Sequence, residues 1–212
     1  MRLQDIRLQE AEQSNLLPFY ISFGDLLVVL STFFLMLLSM SQLEVGNFEK
    51  MKVGFTGKKE GTLVALAEKL EKIAAKKRGL SVSLGSDGVR VDMETVTLFD
   101  SGSAKLKPGS LDPLEPIFVE MKKTQYKIDI EGHTDDRGYY RKVGDDIDTN
   151  WSLSGRRSSS VVHYLIDFGF AESRLRIVGY ASNRPKIPYD DKDGRALERA
   201  RAENRRVSLL IH

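Results

Sequence analysis

One charged residue interrupts an otherwise apolar stretch near the N-terminus. Within Leu16–Met40, a run of 25 residues, Asp25 is the only charged side chain, and it lies about 14 Å along a helix from Leu16. A carboxylate in a bilayer costs about 2.5–3.5 kcal/mol even on a lenient insertion scale, so a simple tether has no reason to carry one. Asp25 is expected to bind a proton or sodium ion in transit, or to pair with a partner helix. Ser22, Ser31 and Thr32 either line the same path or bond back to their own helix.

The other candidate motifs do not form a catalytic or metal site. The three histidines are not spaced as metal ligands, and His133 is predicted to be a hydrogen-bonded structural residue. The acidic segment that begins at Asp146 is like the start of a calcium loop, but Trp151 stands where glycine is needed and Arg157 where glutamate is needed. The sequence has no recognisable nucleophile–base pair and no cysteine. We therefore expect no enzyme activity, no metal and no bound cofactor.

Four zones along the chain position these residues. Residues 1–15 form a polar tail, 16–43 a transmembrane helix, 44–79 a connector with an amphipathic helix, and 80–212 a folded domain. A membrane-spanning helix needs about 20 apolar residues. A cleavable signal peptide would have a shorter core and a small-x-small cleavage site, which the sequence after Met40 does not provide. An uncleaved anchor is predicted, although the Lys/Arg count alone leaves its orientation open.

Periodicity predicts a mixed α+β domain after the anchor. Alternation and helical spacing place helices over 62–77, 111–121, 154–168 and 195–204, and strands over 80–84, 89–93, 126–131, 174–180 and 207–211. Strands that alternate with helices imply an α/β sandwich, a mixed sheet with helices on one face.

Composition excludes two other classes of protein. With 41% hydrophobic and 29% charged residues the chain is typical of a folded protein rather than a disordered one. A net charge of +2 is too small to favour nucleic-acid binding.

The pattern after residue 80 resembles the OmpA-like peptidoglycan-binding domain. The matching elements are Leu98–Leu106, Ile130–Asp136, Asn150–Arg157, Val162–Leu165, Arg174–Tyr180, Pro185 and Glu203–Val207. The resemblance covers about residues 80–212. It implies a site for the diaminopimelate of peptidoglycan, whose free end carries both an ammonium and a carboxylate.

The resemblance also implies a role for each residue of that site. Asp135 takes the ammonium and Arg157 the carboxylate, because an arginine fork meets a carboxylate bidentately. Asn150 and Leu153 shape the loop and the start of the helix, and Thr134 supplies a polar wall. The acidic segment 141–149 is an insertion between the two halves of the motif that could narrow the pocket.

The N-terminal region is similar to the flagellar stator B subunit family, the MotB and PomB proteins. The shared features are an aspartate in a single span, here Asp25, followed eight positions later by Phe33-Phe34-Leu35, and an OmpA-like domain after the span. This architecture implies an inner-membrane protein with a cytoplasmic N-terminus and a periplasmic domain. The segment Phe48–Phe55 either plugs a resting channel or packs as an interfacial helix.

The same resemblance implies partners and an ion. It implies a homodimer inside a ring of multi-span MotA-type subunits, five copies being expected, with contacts to membrane lipid and peptidoglycan. Asp25 would take up and release H⁺ or Na⁺, and the sequence leaves the ion open. The Zorya anti-phage defence system uses a B subunit of this architecture, so flagellar and defence motors both remain candidates. A non-conducting tether between envelope and cell wall is the other alternative.

Overall fold

The computed structural model describes residues 3–41, 54, 62–77, 79–143 and 146–212. The chain divides into two compact units, Met1–Leu43 and Glu44–His212. Among the described residues, those of the hydrophobic core all lie between Leu63 and Ile211, inside the second unit, so this unit contains a core with which to fold by itself.

The first unit is one long helix, α1 (Leu3–Ser41). Its stretch Pro18–Ser39 has a mean hydropathy of 2.2 and is long and apolar enough to cross a membrane. Residues 3–15 of the predicted polar tail and residues 16–41 of the predicted span therefore belong to the same helix. The apolar pattern identifies only the part of the helix that suits a bilayer, and it does not predict the polar helical turns that precede this part.

The second unit is an α/β sandwich, as predicted. Its helices are α2 (Leu63–Ala74), α3 (Thr95–Leu98), α4 (Glu115–Lys122), α5 (Asn150–Asp167) and α6 (Gly194–Asn204), and its strands are β1 (Leu80–Leu84), β2 (Val89–Glu94), β3 (Ile128–His133), β4 (Tyr140–Val143), β5 (Asp146–Thr149), β6 (Leu175–Ala181) and β7 (Arg206–Ile211). Short 3₁₀ turns cover Asp112–Leu114 and Glu172–Arg174.

Five of the strands form one mixed sheet in the order β1-β2-β7-β3-β6. The β3–β6 pair is parallel, and the other neighbours are antiparallel. Alternation along β3 sends Ile128 and Ile130 into the core. Asp129 and Glu131 point to the opposite face, where they pair with Arg176 and Arg90. Helices α2 and α5 cover the apolar face.

Three of the differences from the sequence prediction concern the core and the surroundings of the pocket. Helix α2, assigned above to the connector, contributes Leu63, Leu66 and Leu70 to the core and is therefore part of the folded unit. Helix α5 begins at Asn150 rather than Ser154, because the Thr149 N–H donates to Ser152 Oγ at 2.7 Å and caps the earlier turn.

The third difference is a hairpin of β4 and β5 within the acidic segment 141–149, where no structure was predicted. Residues 144–145, between the two strands, lie outside the described residues. The candidate plug segment Phe48–Phe55 also lies outside them, apart from Gly54.

Candidate functional site

A close approach of α5 to β3 brings the two halves of the binding motif together. A Cβ on Gly132 would lie 2.1 Å from the Ser154 carbonyl oxygen, so only glycine lets the helix pack this tightly. Just beyond the end of β3, the Thr134 N–H donates to the Ala181 carbonyl at 2.8 Å. These contacts fix the residues after β3 against the first turns of α5.

The predicted ligand residues line one pocket. A cavity of about 430 Å³, within the usual range for small-molecule sites, opens between the loop after α3, the end of β3 and the start of α5. All five residues expected from the sequence border it: Thr134, Asp135, Asn150, Leu153 and Arg157. Asn150 Nδ2 donates to the Arg137 carbonyl at 2.8 Å and so ties the start of α5 to the loop after β3.

Arg157 is a buried cation whose position is fixed by the protein. It is only 6% exposed, its Nε donates to the Ser103 carbonyl at 2.9 Å, and its guanidinium lies 5.4 Å from the centre of the Phe99 ring. Burial lowers the pKa of Arg157 below its usual range, yet an arginine stays charged at neutral pH. Within the described residues no carboxylate pairs with it, so the pocket offers a desolvated positive charge to an anion.

Asp135 is engaged by a residue that the sequence analysis did not assign to the site. Arg205 Nη1 donates to Asp135 Oδ2 at 2.7 Å, and the Arg137 N–H lies 3.3 Å from Asp135 Oδ1. Arg205 is held in turn because its carbonyl accepts from the Thr95 N–H at 2.9 Å. The motif Glu203–Val207 contained the signal for Arg205, but the sequence alone did not show that its side chain reaches Asp135.

The ionised groups of the pocket balance in number but not in pairing. Three acids and three arginines line it: Asp100, Asp135, Glu198, Arg137, Arg157 and Arg205. Arg137 pairs with Glu198 at 2.6 Å, and Asp100 lies 3.5 Å from Lys107. Arg205 forms an ion pair with Asp135. Arg157 is therefore the one arginine of the three without an ion pair in the described part of the chain. This arrangement suits a ligand with a carboxylate at one point and an ammonium nearby.

The β4–β5 hairpin supports one wall of the pocket. Tyr139 lines the cavity, and its hydroxyl donates to Asp148 Oδ2 at 3.0 Å. Ser152 Oγ donates to the other oxygen of Asp148 at 2.5 Å, and Arg156 forms an ion pair with the same carboxylate. Burial would raise the pKa of Asp148, but these contacts lower it below its usual 3.8. The insertion is therefore anchored beside the pocket by an ionised carboxylate.

His133 is buried outside the pocket lining. Its ring stacks on Tyr180 at 5.3 Å, and Nε2 lies 3.6 Å from Glu131 Oε2, which is longer than a hydrogen bond. Within the described residues neither ring nitrogen has a hydrogen-bond partner, so the structural role stands but the predicted hydrogen bond is wrong. Burial lowers the pKa of His133 below 6.5, Arg206 and Arg90 act in the same direction, and Glu131 opposes them.

The polar residues of α1 lie on two sides of the helix. At about 100° per residue, Thr32 lies about 20° and Ser22 about 60° around the axis from Asp25, whereas Ser31 lies about 120° away. Thr32 Oγ1 donates to the Val29 carbonyl at 2.8 Å, which is the intrahelical alternative for this residue. Asp25 is about 10 Å along the helix from Pro18 and about 21 Å from Ser39. It is thus more than one turn from either end of the apolar stretch.

Two families match separate parts of the chain. Residues 98–199 match the OmpA family, and this range contains all five residues of the predicted pocket. Residues 6–58 match the family described as membrane MotB of the proton-channel complex MotA/MotB, and this range contains Asp25. The two matches follow each other in the order that the sequence patterns predicted.

Curated proteins and a solved structure agree with both matches. The peptidoglycan-associated lipoprotein of Pseudomonas aeruginosa is 31% identical over 58% of this chain and 66% of that protein. Motility protein B of Escherichia coli K12 is 29% identical over 77% of this chain, which spans about half (51%) of that protein. The crystal structure of a MotB-like protein from Desulfovibrio vulgaris has the same fold, with a TM-score of 0.57 and 23% identity over 71% of this chain and 95% of that one.

The chain thus combines a MotB segment that carries an aspartate in its apolar helix with an OmpA-family domain that carries a preformed pocket. The two matches and motility protein B together support a MotB-type stator B subunit with an OmpA-like domain.

Proposed function

We propose that this chain anchors an ion-driven rotary motor of the inner membrane to peptidoglycan. The observation that carries the anchoring role is the pocket in which Arg157 is buried without a carboxylate partner among the described residues, next to Asp135. The proposed ligand is the diaminopimelate end of a peptidoglycan stem peptide. Its carboxylate meets the guanidinium of Arg157, and its ammonium meets the carboxylate of Asp135.

In the free protein, the two residues proposed to bind the ligand differ in how they are already paired. Nε of Arg157 is used by Ser103, so a ligand carboxylate is expected to meet the Nη atoms. Asp135 is already neutralised by Arg205, so a ligand ammonium must share that carboxylate or displace Arg205. We infer that the carboxylate contributes most of the affinity and that the ammonium mainly selects between ligands.

Ion conduction is the second part of the proposal, and Asp25 supports it. A carboxylate more than one turn inside an apolar helix needs a partner or an ion to offset its desolvation. Thr32 and Ser22 lie on the same side and are candidates to line the ion path, while Ser31 lies farther around the helix. The transported ion is H⁺ or Na⁺. The non-conducting tether remains the alternative that gives Asp25 no ion to carry.

The proposed assembly follows from the family. Two copies of this chain would lie inside a ring of MotA-type multi-span subunits, with the N-terminus in the cytoplasm and the OmpA-like domain in the periplasm. Protonation or sodium binding at Asp25 would remove its charge and let the ring step. The output is either flagellar rotation or a Zorya-type defence motor. A swimming assay and a phage-plating assay on deletion strains distinguish them.

Binding of the isolated unit 44–212 to ligand tests the anchoring role. The probes are purified peptidoglycan in a sedimentation assay and a soluble stem tripeptide ending in diaminopimelate in a titration. A charge-assisted hydrogen bond contributes about 1.5–3 kcal/mol, so Arg157→Ala should weaken tripeptide binding about 10- to 150-fold. Arg199→Ala is the matched control, because Arg199 is an exposed arginine that does not line the pocket.

Modified ligands separate the two ends of the zwitterion. Amidation of the free diaminopimelate carboxylate should weaken binding to the wild type about as much as Arg157→Ala does. Acetylation of the amine should weaken binding less. Equal binding by Arg157→Ala and Arg199→Ala would show that the pocket does not hold this ligand.

Ion flux in cells that express the full chain with its multi-span partner tests conduction. Asp25→Asn should abolish flux while the protein stays in the membrane, and Ser31→Ala, which changes a residue on another side of α1, should retain it. Comparing sodium-containing and sodium-free buffers names the ion. Full flux in Asp25→Asn, or none in the wild type, would leave the tether as the function.

A further inference from the structure

The β4–β5 hairpin buries a carboxylate on its inner side and exposes two large apolar side chains on its outer side. Asp148 points inward and is only 4% exposed, whereas Tyr140 and Ile147 are 69% and 56% exposed. A hairpin on a folded domain ordinarily shows the reverse pattern, with apolar residues toward the protein. Tyr140 pairs with Thr149 and Lys142 with Ile147, so these four side chains share the outer face.

The outer face begins where the ligand pocket ends. Tyr139 and Asn150, which flank the hairpin, both line the pocket. Tyr140 follows the first of them directly, and Trp151, 57% exposed, follows the second. Two large aromatic side chains therefore lie within one residue of the pocket wall, and both are left open to solvent.

We propose that Tyr140 and Trp151 form a subsite for the glycan strand of peptidoglycan, a use of this insertion that rests on the function proposed above. A stem peptide is joined to a sugar, and its diaminopimelate is the third residue from that sugar. Three extended residues span about 10 Å. When diaminopimelate occupies the pocket, the sugar therefore lies at most about 10 Å from the backbone of that residue. Residues next to the pocket wall are the ones placed to meet it.

The chemistry of the outer face fits a sugar better than a second protein. A pyranose ring has one apolar face, which suits the flat faces of Tyr and Trp, and a rim of hydroxyl groups, which suits polar tips and charged neighbours. Lys142 is exposed on this face and can donate to such hydroxyls. A protein interface instead has a core depleted of charged residues.

The sole tryptophan of the chain gives a direct assay of this subsite. The unit 44–212, whose core is self-contained, is titrated with the stem tripeptide alone and with the same tripeptide attached to its disaccharide. Stacking of the sugar on Trp151 should move its emission to shorter wavelength with the second ligand only. The disaccharide should also tighten binding about tenfold in the wild type.

A double variant and a control isolate the contribution of Tyr140 and Trp151. In Trp151→Ala with Tyr140→Ala the disaccharide advantage should disappear, while the affinity for the tripeptide alone stays the same. Val119→Ala, which trims an exposed apolar residue of α4, should keep the advantage.

Each outcome identifies which idea fails. Equal affinity of the wild type for both ligands, with binding to the tripeptide intact, would overturn the glycan subsite and leave the anchoring function standing. Absence of tripeptide binding would instead remove the anchoring function. An emission shift that depends on protein concentration without ligand would mean that a second copy of the chain covers Trp151, and this too would overturn the subsite.

Discussion

Gly132 in the motif between β3 and the pocket is predicted to be irreplaceable for a steric reason. A Cβ at this position would lie 2.1 Å from the Ser154 carbonyl oxygen and 2.7 Å from Ser158 Oγ. The first neighbour is helix backbone, so Gly132→Ala can be accommodated only if α5 moves away from the sheet by about 1 Å. Such overpacking costs about 1–3 kcal/mol, and the displaced helix also weakens the 3.0 Å hydrogen bond from Ser158 to the Val178 carbonyl.

The expected loss is therefore about 3 kcal/mol. For a domain of this size a loss of 1 kcal/mol lowers Tm by about 2–4 °C, so Gly132→Ala should lower Tm by about 6–12 °C. Gly155→Ala is the matched control, because Gly155 lies inside α5 and a Cβ there meets no atom within 4 Å. Replacing a glycine by alanine inside a helix gains about 1 kcal/mol, so this variant should raise Tm by about 2–4 °C.

Thermal unfolding of the unit 44–212, followed by circular dichroism, measures both changes. Gly132→Ala should also weaken tripeptide binding, because Arg157 and Asn150 move with α5, whereas Gly155→Ala should leave binding unchanged. If Gly132→Ala shifted Tm by less than 2 °C, the packing of α5 on β3 would not be as tight as described, and the steric account of this motif position would be refuted.

Two further predictions concern buried polar groups. Because the folded pKa of His133 lies below 6.5, the unfolded chain binds more protons as pH falls through 6.5, so stability should be full above that pH and decline below it. His133→Phe should flatten this decline in urea unfolding measured between pH 7.5 and 5, whereas the exposed Asn183→Ala should not. An unchanged slope in His133→Phe would contradict the assignment of the decline to His133. Asn204, fully buried, accepts from the Lys186 and Ile187 N–H groups at 2.7 and 3.0 Å and donates to the Ile187 carbonyl at 2.8 Å. Asn204→Ala should lower the free energy of unfolding in urea by about 2–4 kcal/mol, whereas the exposed Asn183→Ala should change it little. Equal losses would show that the backbone at Lys186 and Ile187 does not depend on Asn204.

The parts of the fold that follow from local pattern are those that the sequence predicted. Alternation in β1 and β2 and helical spacing in α2 identify the elements, because each buries one face against a common core. Pattern alone does not show what an element packs against. From the sequence, helix α2 was assigned to the connector, and only the structure shows that Leu63 and Leu70 lie in the core. The polar β4–β5 hairpin has no apolar alternation facing inward, so it carries no strand signal.

The same distinction applies to the pocket. Its five expected residues come from short motifs, and the Gly132 contact explains why those motifs converge. Arg205 and Tyr139 were missed because their roles depend on tertiary contacts. Arg205 binds Asp135, which lies 70 residues away in the sequence, and Tyr139 acts through its hydrogen bond to Asp148. Residue type and spacing identify the candidates, and only tertiary contacts show which ionised groups are already paired.

The ion pair between Arg205 and Asp135 makes the two charged residues of the site unequal in the free domain. From the sequence, Asp135 and Arg157 are equal halves of a zwitterion site. In the structure, Arg205 neutralises Asp135, while Arg157 stays desolvated beside Phe99 with only carbonyl acceptors among the described residues. A buried charge without a counter-ion lowers the stability of the free domain, so the ligand carboxylate relieves a cost that the fold already bears. Stem-peptide binding should therefore stabilise this domain by more than its contact area alone suggests, and an anchor built in this way holds most firmly when its pocket is occupied.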